Sequence, residues 1–247
     1  MACGSFPGIS EPELSRITKA SWKLLIHTDM NRYEQITYKG HHINIYYDDC
    51  PESPREWSNL GTFYTAHRRY RPEKEFDEHF DFDEVCDGRP GNIRKSFLQK
   101  HVALNLFLYD HSGLSISSGP FSCRWDSGWF GIVAVSVEQV KKEYGWKVLT
   151  QSRRKKIEEY LQNEIDTYNE YLHGEVYGFQ VTPEDDDTEI LDSCWGFFGD
   201  DGLDQLKSEC QAYIDDRIAE DNRQKQAEYL CTFGLELPFP EFALSTN

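Results

Sequence analysis

The sequence predicts an α+β protein: one largely antiparallel sheet with helices packed on one face. Three observations predict it. Strand pairs come first along the chain, helices sit between the later strands, and the visible connections are short. A parallel sheet needs long crossovers between its strands, and short connections favour antiparallel neighbours instead.

The elements follow in chain order. Residues 1–30 read as an N-terminal appendage in which Ser10-Glu11-Pro12-Glu13 caps a short helix through Leu14 and Ile17. The main domain spans 31–202. It opens on alternating residues, Glu34 to Tyr38 and His42 to Tyr47, around a Lys39-Gly40 turn, which predicts a β-hairpin. Pro51 and Pro54 mark a loop. Glu73 to Asp87 holds eight acids against one lysine. Its Phe76, Phe80 and Phe82 fit a helix or a solvated loop anchored by aromatics. Asn92 to Lys100 fits a short helix, Ala103 to Tyr109 a buried strand, Asp110 to Gly113 a turn and Leu114 to Ser117 the return strand.

Phe130 to Val135 is a further buried strand. Ser136 is a good N-cap for a helix over 137–144 that Gly145 stops. Thr150 caps a longer helix ending at Gly174, in which Ile157, Tyr160, Leu161, Ile165, Tyr168 and Leu172 are expected on one buried face by three-four spacing. Strands over 175–181 and 188–195 follow, joined by the acidic loop 183–187. The strands near 36–47, 103–109, 130–135, 175–181 and 188–195 are expected in one sheet. Residues 203–247 form the last unit, a helix over 203–230 with a polar, projecting second half, then an extended tail containing Pro238 and Pro240.

The net charge of −17 repels phosphate backbones, which disfavours direct binding to nucleic acid and favours a partner with a basic surface. No apolar run approaches the ~20 residues that span a bilayer, and the first residues lack the basic start and apolar middle of a signal peptide. Seven cysteines, an odd number with no C-x-x-C pair, fit reduced thiols in a cytoplasm. A membrane is therefore not expected, and the expected location is cytoplasmic.

The common catalytic signatures are missing: no G-x-G-x-x-G, no Walker A loop, no H-E-x-x-H, no G-x-S-x-G and no E-x-K. Two clusters remain. Asp110 and His111 with Cys123, Trp125 and Asp126 supply a thiol, an imidazole and carboxylates, the groups of a cysteine-nucleophile site if the strands bring them together. The plainer reading has Asp110 and His111 bonding a hairpin turn and Cys123 filling a small core space. The second cluster is Asp192 to Gly199, where glycines beside aromatics allow close approach of a ligand, or simply tight turns at a strand end. His67, His111, Asp110 and Asp126 are of metal-ligating type, but no spacing selects them, and Asp185-Asp186-Asp187 lacks the Gly and terminal Glu of a calcium loop. No metal or cofactor is expected. The run Lys141, Lys142, Lys147, Arg153, Arg154, Lys155 and Lys156 reads as a helix surface paired with Glu158 and Glu159, or as a patch that orients a partner.

Several strings together resemble a group of uncharacterised proteins carried by phages, plasmids and other mobile elements of bacteria. They are Ser53 to Gly61 (SPREWSNLG), His67 to Tyr70 (HRRY), Leu108 to Gly113 (LYDHSG), Trp125 to Gly128 (WDSG) and Gly131 to Val133. Glu164 to Tyr168, Tyr171 to Gly178 and Asp192 to Gly199 complete the set. The resemblance runs from about 46 to 202. The group usually has Pro where this chain has Arg124, and Gln-Val where it has Trp129-Phe130. It has no established activity, so what the resemblance implies is a setting: small acidic proteins of mobile elements are often counter-defence factors.

The resulting expectation is an acidic, non-catalytic interaction protein that binds a basic host protein surface, by mimicking nucleic acid in the counter-defence version. Its binding residues would be Trp57, Asp110, Trp125, Asp192 and Trp195, expected to gather near one another with His111 and Asp126. Its acidic surface would be Glu73, Glu75, Asp77, Glu78, Asp81, Asp83, Glu84, Asp185, Asp186 and Asp187. The alternative is an enzyme using Asp110, His111, Cys123 and Asp126.

Overall fold

A computed structural model describes residues 31–234. The short helix expected through Leu14 and Ile17 and the extended tail around Pro238 and Pro240 lie outside these residues.

The first hairpin forms as its turn residues dictate. Strands β1 (Arg32–Tyr38) and β2 (His41–Tyr47) pair antiparallel across Lys39 and Gly40, which both take positive φ, 46° and 76°. That is the two-residue turn whose twist matches the strands it joins. Strands β8 (Val176–Pro183) and β9 (Asp192–Phe198) complete an antiparallel sheet of order β1-β2-β8-β9. A second sheet has order β4-β3-β7-β5-β6. It holds β3 (Thr62–Thr65), β4 (Lys74–Glu75), β5 (His101–Asp110), β6 (Leu114–Ser117) and β7 (Ser127–Ser136), and only its β3–β4 pair is parallel.

The architecture is thus α+β, with 40% helix and 30% strand. The expectation of a single sheet is corrected: the expected strands divide between two. The reason lies in the helices. Helix α4 (Gln151–His173) buries Ile157, Leu161 and Ile165 in a core with Phe63, Val102, Leu106 and Val133 of the second sheet. Helix α5 (Gly199–Phe233) buries Leu203, Leu206, Cys210 and Ile214 with Ile43, Ile45, Phe179 and Val181 of the first. Each long apolar stripe has its own sheet face to cover. A boundary at 202 would cut this second core, because the first half of α5 is part of it. Beyond Ile218 the helix is polar, and residues 219–228 are all exposed.

The caps fall where local sequence places them. Ser136 accepts a hydrogen bond from the Gln139 N–H at 3.1 Å and starts α3 (Val137–Tyr144), and Thr150 accepts from the Arg153 N–H at 3.3 Å and starts α4. Gly145 and Gly174 end the two helices in the left-handed region. The last strand begins at Asp192 rather than near 188, because the Asp186 carboxylate accepts from the N–H and hydroxyl of Thr188 and turns the chain there.

The other face of the second sheet is also covered. Ala103, Ile132 and Ala134 pack against Phe76, Val85, Cys86 and Phe97. These come from a 3-10 turn at Phe76–Glu78 and the short helices α1 (Phe82–Val85) and α2 (Lys95–Lys100). The acidic segment is therefore short turns held down by aromatic residues.

One buried ionic group crosses this architecture. The Arg55 side chain is 1% exposed. It donates to the Gly61 carbonyl at 2.6 Å, to Glu73 Oε2 at 2.7 and 3.1 Å and to Glu164 Oε2 at 3.1 Å, and it lies over the Phe63 ring at 3.9 Å. Glu164 Oε1 in turn accepts from the N–H groups of Leu60 and Gly61, and Glu73 Oε2 from that of Phe63. A buried cation is tolerated when it is paired and its donors are used, and both conditions hold here.

Candidate functional site

Three segments meet at one end of the second sheet. The chain between β3 and β4 carries His67, Arg69 and Tyr70, the β5–β6 turn carries Asp110 and His111, and the approach to β7 carries Cys123, Trp125 and Asp126. Backbone bonds fix their heights: the Ala66 N–H donates to the Phe130 carbonyl at 2.9 Å, and the Asp110 N–H to the Asp126 carbonyl at 2.8 Å. Asp110 Oδ2 then accepts from Arg69 Nη2 at 2.8 Å and from the Tyr70 hydroxyl at 3.3 Å. His67 stacks on Tyr70 with ring centroids 5.0 Å apart, and its Nδ1 accepts from the N–H groups of Arg69 and Tyr70. Strings that stand far apart in the motif resemblance, HRRY, LYDHSG and WDSG, are therefore neighbours in space.

Asp126 Oδ2 is shared by His111 Nδ1 at 3.4 Å and the Cys123 thiol at 3.5 Å. The order matters for the catalytic alternative. In a cysteine-nucleophile site the imidazole stands between thiol and carboxylate so that it can take the thiol proton. Here the carboxylate stands between the other two. His111 and Asp126 are also substantially open to solvent, with side-chain exposures of 61% and 37%.

These residues border an open cleft of about 290 Å³, lined by His67, Leu108, Asp110, Trp125, Asp126 and Trp129 among others. On the far side of Leu108 lies a smaller, more apolar hollow of about 190 Å³, bounded by Leu114, Ile116, Phe130 and Tyr70 with Arg69 and Arg71. Trp125 is 96% exposed. The other binding candidates lie elsewhere. Asp192 and Trp195 belong to β9 of the first sheet, where the Trp195 indole lies against Gly178 and Tyr46. Trp57 packs its ring edge-on against Phe198 of the same strand, centroids 5.1 Å apart. The expected single gathering is thus corrected: Asp110, His111, Trp125 and Asp126 lie together at one end of the second sheet, whereas Asp192, Trp195 and the Phe198 that carries Trp57 are spread along β9 of the first.

The acidic surface divides as well. Asp77, Glu78, Asp81, Asp83 and Glu84 are exposed and make no ion pair among the described residues. Glu75 pairs with Arg71. Glu73 is corrected: it turns inward onto Arg55 and the Phe63 N–H and is not a surface acid. In the β8–β9 loop Asp185 is exposed. A hydrogen bond from Thr188 holds the Asp186 carboxyl below its ordinary range, and one from His42 does the same for Asp187. Three residues of the basic run are employed locally. Arg154 donates to the carbonyls of His101 and Leu98, Arg153 lies over Trp146, and Lys155 pairs with Glu159.

Arg69 and Tyr70 entered the sequence reading only as part of a motif string, and Arg55, Glu73 and Glu164 were not seen as a unit. The available signal was the basic run His67 to Arg71 inside so acidic a chain. Among the described residues no group of three or more His, Cys, Asp or Glu side chains could hold a metal ion. No helix among them is long and apolar enough to cross a membrane. No family model matches this chain, and no curated protein or solved structure is significantly similar to it.

Proposed function

We propose that this is a non-catalytic interaction protein that engages a basic surface on another protein through the acidic ridge Asp77 to Glu84. The observation that carries the reading is the ridge itself: five exposed acids without a counter-ion among the described residues, on a segment pinned at either end by the buried Phe76 and Val85. Like charges held this close repel one another and favour whatever brings them a cation. Held on a fixed backbone, they present a patterned anionic strip, which steers a cationic partner toward it. In a mobile-element setting, which the motif resemblance implies, that partner would be a host protein whose cationic groove normally holds nucleic acid. The position of Asp126 between thiol and imidazole gives the catalytic alternative less support.

The test is affinity capture from a bacterial host lysate at low and high salt, with the wild-type chain and with D77N/E78Q/D81N/D83N/E84Q. Capture of a partner by the wild type at low salt, lost at high salt and lost in the variant with its circular dichroism unchanged, is the expected result. A partner held equally by both chains at both salt concentrations would overturn the reading.

A further inference from the structure

We infer that the cleft beside Trp125 receives a guanidinium group, an arginine side chain of the bound partner. The inference rests on the reading that the partner is basic, and it concerns a different surface from the acidic ridge. Its chemistry starts from Trp125. An indole 96% exposed at the edge of a concave site has no packing of its own to gain. Its face attracts a cation, most strongly a planar one that can lie flat on it.

The same cleft also carries two carboxylates. Asp110 and Asp126 both line it and are tied together through the Asp110 N–H. Each commits one oxygen to neighbours. Oδ2 of Asp110 accepts from Arg69 and Tyr70, and Oδ2 of Asp126 meets His111 and Cys123. Oδ1 of each makes no hydrogen bond among the described residues. Aromatic face and carboxylate oxygens on one rim are the complement of a guanidinium, which offers five N–H donors in a plane. The cleft's volume of about 290 Å³ suits a side chain and its stem. It lies at the lower limit for drug-sized ligands. Two carboxylates on the rim oppose the phosphate of a nucleotide.

The molecule already makes one such contact internally. Arg69, with its side chain 71% exposed, bonds Asp110 at 2.8 Å. It thereby competes for the carboxylate that an incoming arginine would use, so its removal should tighten binding.

The test uses the full chain and blocked tripeptides: Gly-Arg-Gly, its neutral isostere Gly-citrulline-Gly, and AMP as an anionic planar control. Binding is read from the indole N–H resonance of Trp125, assigned with W125F, with Trp57 as an internal reference. The arginine peptide should shift Trp125 saturably and leave Trp57 in place. The citrulline peptide should bind at least about tenfold more weakly, as the loss of charge-assisted bonds implies. D110N/D126N should lose about as much, and R69A should bind several-fold tighter. Equal binding of the arginine and citrulline peptides, an unmoved Trp125 at saturating arginine peptide, or a response to AMP in its place would overturn the inference. The ridge variant separates this from the proposed function. If it still captures the partner while the peptide binds, the ridge reading fails and the cleft stands. If it loses the partner while the wild-type chain ignores the peptide, the cleft reading fails and the ridge stands.

Discussion

Replacing Arg55 with methionine keeps most of the side chain's length and removes its charge. In the wild type the guanidinium satisfies the Gly61 carbonyl and neutralises Glu73 and Glu164, whose side chains are 21% and 8% exposed. The variant leaves two poorly hydrated carboxylates facing each other across an apolar stem. Removing one partner from a buried ion pair costs about 3–5 kcal/mol. The backbone N–H groups of Leu60, Gly61 and Phe63 still donate to the two acids, which places the expected loss toward the lower part of that range. For a chain of this length each kcal/mol lowers the melting temperature by about 2–4 °C, so a loss of about 3–4 kcal/mol gives an expected drop of about 6–16 °C. Urea unfolding of R55M, E73Q, E164Q and their combinations would measure it. If the cost is uncompensated charge, adding E73Q and E164Q to R55M should recover part of the loss, since the neutral amides no longer need the cation. An R55M loss below about 1 kcal/mol, or charge removals that simply add, would refute the reasoning.

Three further outcomes follow from the same structure. A methyl group at Gly61 would collide with Leu161 and come within 2.7 Å of Val133, so G61A should lower stability by about 1–3 kcal/mol in urea unfolding. Thr150→Ala removes the cap of α4 and should cost about 1 kcal/mol, whereas T150S should be close to neutral. Burial pushes the Cys210 thiol and the Tyr177 phenol up to about 12. In the unfolded chain they titrate near 8.5 and 10. The folded state then holds protons that the unfolded state has lost. The stability these groups contribute is complete below about pH 8 and is lost as pH rises toward 12. Urea midpoints should fall across that window, and C210A should flatten the fall.

How much was legible in the chain depended on distance along it. The caps at Ser136 and Thr150, the stops at Gly145 and Gly174 and the Lys39-Gly40 turn need only neighbours within four residues, and all form. Strand β3 was not legible because Thr62–Thr65 (TFYT) sets two aromatics side by side and shows no apolar–polar alternation, unlike the equally short Leu114–Ser117 (LSIS). The division into two sheets was not legible either: a strand's alternation states which residues face inward, and says nothing of which helix covers them. Glu73 looked like one surface acid among eight, because the cation that turns it inward lies 18 residues upstream. The pairing of Arg69 with Asp110 spans 41 residues and joins two motif strings that a linear reading keeps apart. Trp125, Asp110 and Asp126 were picked as residue types suited to binding, but their separation from Asp192 and Trp195 follows from sheet membership alone.

The buried arginine connects these observations. Arg55 bonds Gly61 at the start of the segment that carries His67, Arg69 and Tyr70, and bonds Glu73 at its end. Glu73 also accepts from the Phe63 N–H across the base of that segment. The segment is therefore a loop closed at its neck by one ion cluster. Its outer residues reach Asp110 from a neck held by this cluster together with the pairing of β3 on β7. Immediately after Glu73 the chain pairs with β3 through Lys74 and Glu75, buries Phe76 and enters the acidic ridge. Cleft and ridge thus both hang from a charge that touches neither. A core of apolar residues could close the neck as stably, since ion pairs seldom outdo well-packed hydrophobes. What the cluster adds is direction: three carboxylate-to-backbone bonds and one guanidinium-to-carbonyl bond define the angles at which the loop leaves the sheet. It follows that R55M should disturb the Trp125 resonance and the Arg69–Asp110 pairing at temperatures well below its own unfolding transition, whereas T150A, which touches nothing in the cluster, should leave both as they are until the chain melts.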